Sequence, residues 1–95
     1  MTTYAVFMRD STIDRNELDI YDKDAAAAAA GHPITALAMY GDLQVLEGPA
    51  IEGAVIIAFP SKKDAMEWYE SPAYSAAREH RFKGATYRAF LIEGV

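Results

Sequence analysis

The 95-residue sequence contains no cysteine. That excludes a disulfide framework, a thiolate nucleophile and a thiolate metal ligand. Histidine is scarce as well: only His32 and His80 occur. Neither belongs to an HxH or HxxxH pattern or to a carboxylate cluster, so metal-ligand spacing is missing, and no metal or cofactor is expected. Positive charge is short, with nine Lys and Arg against fourteen Asp and Glu, a net charge of −5 and a pI of about 4.8. The cations form no stripe, and without phosphate contacts nucleic-acid binding loses its main source of affinity. No apolar run approaches the roughly 18 residues of a membrane span, and the opening TTYAVFMRD has no basic n-region. Membrane association is therefore not expected, and a cytoplasmic location is the default expectation. A Ser-His-Asp set, a P-loop and a dinucleotide fingerprint are absent too.

What is abundant is apolar surface. Hydrophobic residues make up 52% of the chain, and four Phe, one Trp and six Tyr are present. A single domain of this size buries only about 60–65% of the surface its unfolded chain exposes. Part of the apolar surface is thus expected to meet a partner.

The order of elements follows from periodicity and punctuation. Residues 3–9, TYAVFMR, read as a strand. Asp14 opens a helix, with Glu17 placed as its capping-box partner and Ile13 and Leu18 placed as a hydrophobic staple. Leu18, Tyr21, Ala25 and Ala28 recur at spacings of three and four and give an apolar stripe. The alanine run 25–30 predicts a helix packed close and flat against a sheet, ended by Gly31. ITALAMY (34–40) reads as a strand and LQVLE (43–47) as its second piece, with a bend, bulge or turn at Gly41-Asp42. AVIIAFP (54–60) is continuously apolar, as in a strand covered on both faces. Ser61 caps a helix with Asp64 at N3, and Ser71-Pro72 restarts it as N-cap and N1. The second helical piece closes at Lys83-Gly84, and ATYRAFLIE (85–93) is the last strand.

The sum is β-α-β-β-α-β, the α+β ferredoxin-like arrangement: an antiparallel sheet carrying its helices on one face. Since strand 54–60 is apolar on both sides, the other face also needs cover. The chain has no third layer to supply it. A second copy of the chain is the economical answer, the two sheets closing on each other as a dimeric α/β barrel.

Specific strings support a family resemblance: LEG (46–48), FPS (59–61), WYESPAY (68–74), Arg81 and the closing LIEGV (91–95). On these the chain resembles the family called domain of unknown function 1330, within the dimeric α/β-barrel superfamily. The resemblance covers essentially the whole chain and is strongest from Leu46 onward. It implies the ferredoxin-like fold and a homodimer, but no particular reaction. The wider superfamily includes small cofactor-independent monooxygenases, lactone isomerases, dehydratases and haem enzymes. Two departures stand out. Pro33-Ile34 replaces a Gly-Gly pair usual early in the second strand, and Met39 stands where the family usually has a strand arginine. A ligand bound here would then be less anionic, or held by another cation.

Candidate functional residues cluster in EWYESPAYSAAREHR (67–81). On a helix starting at Pro72, Tyr74, Arg78 and Arg81 share a face. A phenol and two guanidiniums suit a carboxylate or phenolate. Trp68 and Tyr69 would wall the pocket with rings, and Tyr21 falls on the inward stripe of the first helix. Trp68, Tyr69 and Tyr21 also read as ordinary core, and Arg78 as a surface partner of Glu70 or Glu79. His80 or Tyr74 could move a proton. Two functions compete: a cofactor-independent enzyme acting on a small apolar molecule with an anionic or phenolic group, and a non-catalytic small-molecule-binding or dimeric interaction module.

Overall fold

The computed structural model describes residues 1–95. Its elements are β1 (Thr3–Thr12), α1 (Arg15–Ala28), β2 (Thr35–Met39), β3 (Gly53–Phe59), α2 (Lys62–Tyr69), α3 (Pro72–Gly84) and β4 (Ala85–Glu93). The strands pair antiparallel in the order β2-β3-β1-β4. This is the ferredoxin-like split that the sequence predicts, with β2 and β4 at the two edges.

Period-two alternation decides what each face of the sheet carries. Thr3, Ala5 and Phe7 of β1 are buried, as are Val55, Ile57 and Phe59 of β3. Ala5 stands between Ile57 and Leu91, and Phe7 between Val55 and Ala89, so these residues share the face under the helices. Tyr4, Val6 and Met8 point the other way, beside Ala54, Ile56 and Ala58 of β3 and Phe90 and Ile92 of β4. Nothing in the chain covers this second apolar face: Phe90 is 46% and Ile92 55% exposed. No helix is long and apolar enough to cross a membrane.

The serine caps form as their sequence implies. Ser61 Oγ accepts from the Asp64 amide, and Ser71 Oγ accepts from the Tyr74 amide while donating to the Trp68 carbonyl. Pro72 follows at N1. The start of α1 is built differently from expectation. Asp14 does cap, accepting from the Asn16 amide, but Glu17 turns away to His80 and makes no capping box. The staple is absent too, because Ile13 is 66% exposed while Leu18 is buried against Gly84. The Gly84 carbonyl accepts from the Ile13 and Asp14 amides, tying the end of α3 to the start of α1. A Cβ at Gly84 would lie 2.8 Å from Leu18 Cδ2 and 3.1 Å from its amide nitrogen, so the close approach requires glycine.

One predicted element is missing. LQVLE (43–47) forms no strand; the chain from Tyr40 to Glu52 runs without regular structure between β2 and β3. The alternating pattern was present, but strand pairing needs an edge, and no strand of the same chain offers one to these residues.

Candidate functional site

The α1 helix packs chiefly on α3 rather than lying down on the sheet. Its alanine run therefore does not make the flat contact expected. Ala25, Ala26 and Ala29 are too short to reach the strands, and a cavity of about 180 Å3 remains between them and Phe7, Val55 and Ile57. Ile34, Met39, Tyr21, Tyr40, Trp68 and Tyr87 complete the wall, with Asp22 the one charged group lining it. The cavity is set by small side chains on one layer facing large ones on the other.

Two tyrosine pairs stand beside it: Tyr21, Tyr40 and Tyr87 line the cavity, and the fully buried Tyr74 lies behind Tyr21. The Tyr21 and Tyr74 hydroxyls are 2.8 Å apart, and those of Tyr40 and Tyr87 are 2.6 Å apart. Burial pushes the Tyr21 hydroxyl far above the ordinary tyrosine range, with the neighbouring Tyr74 adding to the rise and Arg81 opposing it. Burial likewise raises Tyr74, although Tyr21 and Arg81 both pull it down. Tyr40 is raised by burial and by its bond with Tyr87. At neutral pH these phenols keep their protons and can donate to an oxyanion. Tyr40 also carries a φ of +54°, a left-handed conformation unusual for an aromatic residue. Its ring lies over Gly53, where a Cβ would come within 2.7 Å of Tyr40 Cδ1.

Behind the aromatic wall lies Arg81, 3% exposed. Its Cζ is 5.3 Å from the Phe7 ring centroid, 5.9 Å from that of Tyr21 and 5.1 Å from those of Phe82 and Tyr87. None of the ion pairs in the molecule includes it, and its Nε is buried with no hydrogen-bond partner. Cation–π contacts of about 0.5–2 kcal/mol each offset part of the several kcal/mol that removing a guanidinium from water costs. They supply no acceptor for its N–H groups. Trp68 is in the same state: 5% exposed, stacked 4.1 Å from the Tyr74 ring, its Nε1 buried and unpartnered.

Thus the structure brings Arg81, Tyr74, Tyr21 and Trp68 together. It separates Arg78 and His80 from them. Arg78 lies over Tyr69 at 4.2 Å and bonds Ser75, rather than pairing with Glu70 or Glu79. His80 Nδ1 is 2.6 Å from Glu17 and its Nε2 4.0 Å from Asp24, on the outer seam between α1 and α3 and not on the cavity wall. No three His, Asp or Glu side chains converge as a metal site would need. Sequence reading missed Tyr40, Tyr87 and Asp22. Tyr40 and Tyr87 are 47 positions apart, and no local signal joins them. Met39, where the resemblance implies an arginine, lines the cavity with a thioether. Arg9, the other nearby cation, lies 4.9 Å from the Tyr40 ring centroid and is committed to Glu52 at 3.2 Å.

The family described as Domain of unknown function (DUF1330) matches residues 2–95. The chain belongs to this family. No curated sequence matches it. A solved protein of unknown function from Rhodopseudomonas palustris has a TM-score of 0.77 at 17% identity, over 99% of this chain and 82% of its own. A dimeric ferredoxin-like protein of unknown function from Bacteroides fragilis has a TM-score of 0.66 at 14% identity, over 98% of this chain and 96% of its own. SnoaB, a cofactor-independent oxygenase from Streptomyces nogalater, has a TM-score of 0.61 at 10% identity, over 98% and 91%. At such identities the likeness is one of fold. As a DUF1330 protein the chain carries the family's architecture, and its chemistry must be argued from its own side chains.

Proposed function

We propose that the protein pairs as a homodimer and that each copy binds a small, flat, largely apolar molecule with one phenolic or carboxylate oxygen in the cavity under α1. The observation that carries this reading is Arg81: a buried guanidinium with no carboxylate partner and an orphan Nε, stacked on the rings that line the cavity. An anionic oxygen near it would gain charge-assisted hydrogen bonds, and the protonated Tyr21 and Tyr74 hydroxyls would donate to the same oxygen. A cavity of about 180 Å3 suits one substituted aromatic ring, since an apolar cavity of about 150 Å3 accepts benzene.

On this reading the chemistry is cofactor-independent. Fixed donors that stabilise a developing phenolate or enolate lower the cost of removing its proton. The raised tyrosines are poor bases. His80 is held by Glu17 outside the wall, which leaves Asp22 as the carboxylate lining the cavity to accept the proton. The fold-level likeness to a cofactor-independent oxygenase supports this class. A non-catalytic binding module is favoured instead by the modest cavity, smaller than the roughly 300 Å3 at which ligand pockets commonly begin.

Benzoate and phenol are the probes, followed through Trp68, the single tryptophan of the chain. The parent should bind one of them. Arg81→Met, which removes a buried charge without leaving an unpaired one, should weaken benzoate at least about tenfold, the equivalent of 1.4 kcal/mol. Tyr74→Phe should weaken both. Parent-like binding by both variants would show the assignment to be wrong. Deuterium exchange at an acidic C–H of a bound hydroxy-aromatic ketone, lost in Asp22→Asn with binding kept, separates enzyme from binding module.

A further inference from the structure

The tyrosine pairs hold two protons that nothing in the chain accepts. A phenol carries one O–H donor and can also accept. Tyr74 is fully buried, and the Tyr21 hydroxyl is the one acceptor within reach of its proton. Tyr74 must therefore donate to Tyr21, since the reverse would strand a buried donor. The proton of Tyr21 is then left without a partner, on a side chain that lines the cavity. Tyr40 and Tyr87 also line it and share a single hydrogen bond at 2.6 Å, so one of their two protons is free as well. Arg81 stands between the two pairs, its Cζ 5.9 Å from the Tyr21 ring centroid and 5.1 Å from that of Tyr87.

These donors gather at one end of the cavity. α1 joins the wall at Tyr21 and Asp22 and leaves it at Ala29, about 12 Å further along at the usual helical rise. Beyond Asp22 it offers the wall only alanine. β2 repeats the gradient. Tyr40, just past its last residue, donates its amide to Ala54 at the start of β3, whereas Thr35 at its beginning pairs with Ala58 near the end of β3. Ile34 precedes Thr35 and is joined to Ala29 by a short turn closed by the His32 and Ile34 amides. Tyr40 adds to the rise at Tyr21, and Asp22 to that at Tyr40, as groups at a common end must. One end of the cavity is thus rich in donors, and the other, at Ala29, Ile34 and Ile57, is aliphatic.

We infer that the ligand of this cavity is an aromatic with two oxygens side by side, a hydroxyl ortho to a carboxylate or carbonyl. One oxygen takes the Tyr21 proton beside Arg81, and the other takes the spare proton of the Tyr40–Tyr87 pair. The rest of the ring lies against the alanines and Ile34. This rests on the binding site proposed above and names its ligand class. An oxygen in the para position would be driven among aliphatic side chains with nothing to bond, which a site of this kind rejects.

Calorimetric titration with salicylate, benzoate and 4-hydroxybenzoate tests the inference. The parent should bind salicylate about tenfold more tightly than benzoate, and 4-hydroxybenzoate about tenfold more weakly. Removing one hydroxyl of the Tyr40–Tyr87 pair leaves the other's proton free, so the decisive variant is the double one, Tyr40→Phe, Tyr87→Phe. It strands no partner, because these hydroxyls bond only each other. In it the advantage of salicylate over benzoate should vanish, while the penalty on 4-hydroxybenzoate stays. The order of the three probes in the parent decides even without the variant. Benzoate bound as tightly as salicylate, or 4-hydroxybenzoate bound as tightly as either, overturns the ligand class and leaves the site standing. A salicylate advantage that survives in the double variant overturns the role of the Tyr40–Tyr87 pair. A parent that binds none of the three overturns the site itself, and the ligand class with it.

Discussion

Among single residues, the sequence announced chemistry where a residue type is unusual for its setting and stayed silent where only the fold makes it so. Arg81, Tyr74 and Trp68 stood out because two guanidiniums and three rings crowd one short stretch. Tyr40 gave no such sign; its positive φ and its bond to Tyr87 exist only once β2, β4 and Gly53 are in place. The Tyr21–Tyr74 pair makes two predictions. Tyr74 is fully buried, so Tyr21→Phe leaves a hydroxyl without its partner and should cost about 1–3 kcal/mol. The double variant Tyr21→Phe, Tyr74→Phe should cost clearly less than the two single variants added together. Urea unfolding of the three variants checks this, and additive losses would mean that the hydroxyls do not act as a pair. The second prediction concerns alkali. Burial raises both hydroxyls above the ordinary tyrosine value, so the folded state holds protons that the unfolded chain releases above about pH 10. Stability is therefore complete below that pH and falls as pH rises past it, by up to about 1.4 kcal/mol per pH unit for each tyrosine. Denaturant midpoints between pH 9 and 11 should fall accordingly, and less steeply in Tyr21→Phe.

Secondary-structure elements were legible where a local signal decides them. Ser61 and Ser71 with Pro72 open their helices as the sequence implies, because a cap needs only neighbours within one turn. The false expectations at α1, a capping box and a staple, failed for a tertiary reason: His80 holds Glu17, and Gly84 holds Leu18. Gly84→Ala should accordingly destabilise by about 1–3 kcal/mol through overpacking, lowering the melting temperature by roughly 4–8 °C for each kcal/mol in a domain of this size. Ser71→Ala should cost about 1 kcal/mol, since it removes both the cap on Tyr74 and the bond to the Trp68 carbonyl. Melting curves decide both, and a Gly84→Ala variant as stable as the parent would show that α1 yields without cost. The alanine run is the instructive middle case. Its helix was readable from propensity, but its role was not, because whether small residues give close contact or empty space depends on where α3 holds the helix.

For the molecule as a whole, one copy is poorly closed. It exposes 6016 Å2, against about 5,400 Å2 for a typical folded monomer of 10.4 kDa, and its radius of gyration of 13.2 Å exceeds the roughly 12.4 Å of a compact chain of this length. Leu37, Phe90 and Ile92 are each about half exposed on or beside the bare face, and Val6 and Ile56 lie between them in register. This surplus was visible in the composition, as 52% hydrophobic residues in a domain too small to hide them. If a second copy covers the face, folding and pairing are linked by mass action. The melting temperature of the parent should then rise with protein concentration. Ile56→Lys places a charge at the centre of the face, where an unpaired cation is expensive to bury. It should melt at a lower temperature that no longer depends on concentration, and should sediment as a single copy. A parent whose melting temperature stays constant over a hundredfold dilution, while sedimenting at 10.4 kDa, would mean that the bare face is stable against water alone.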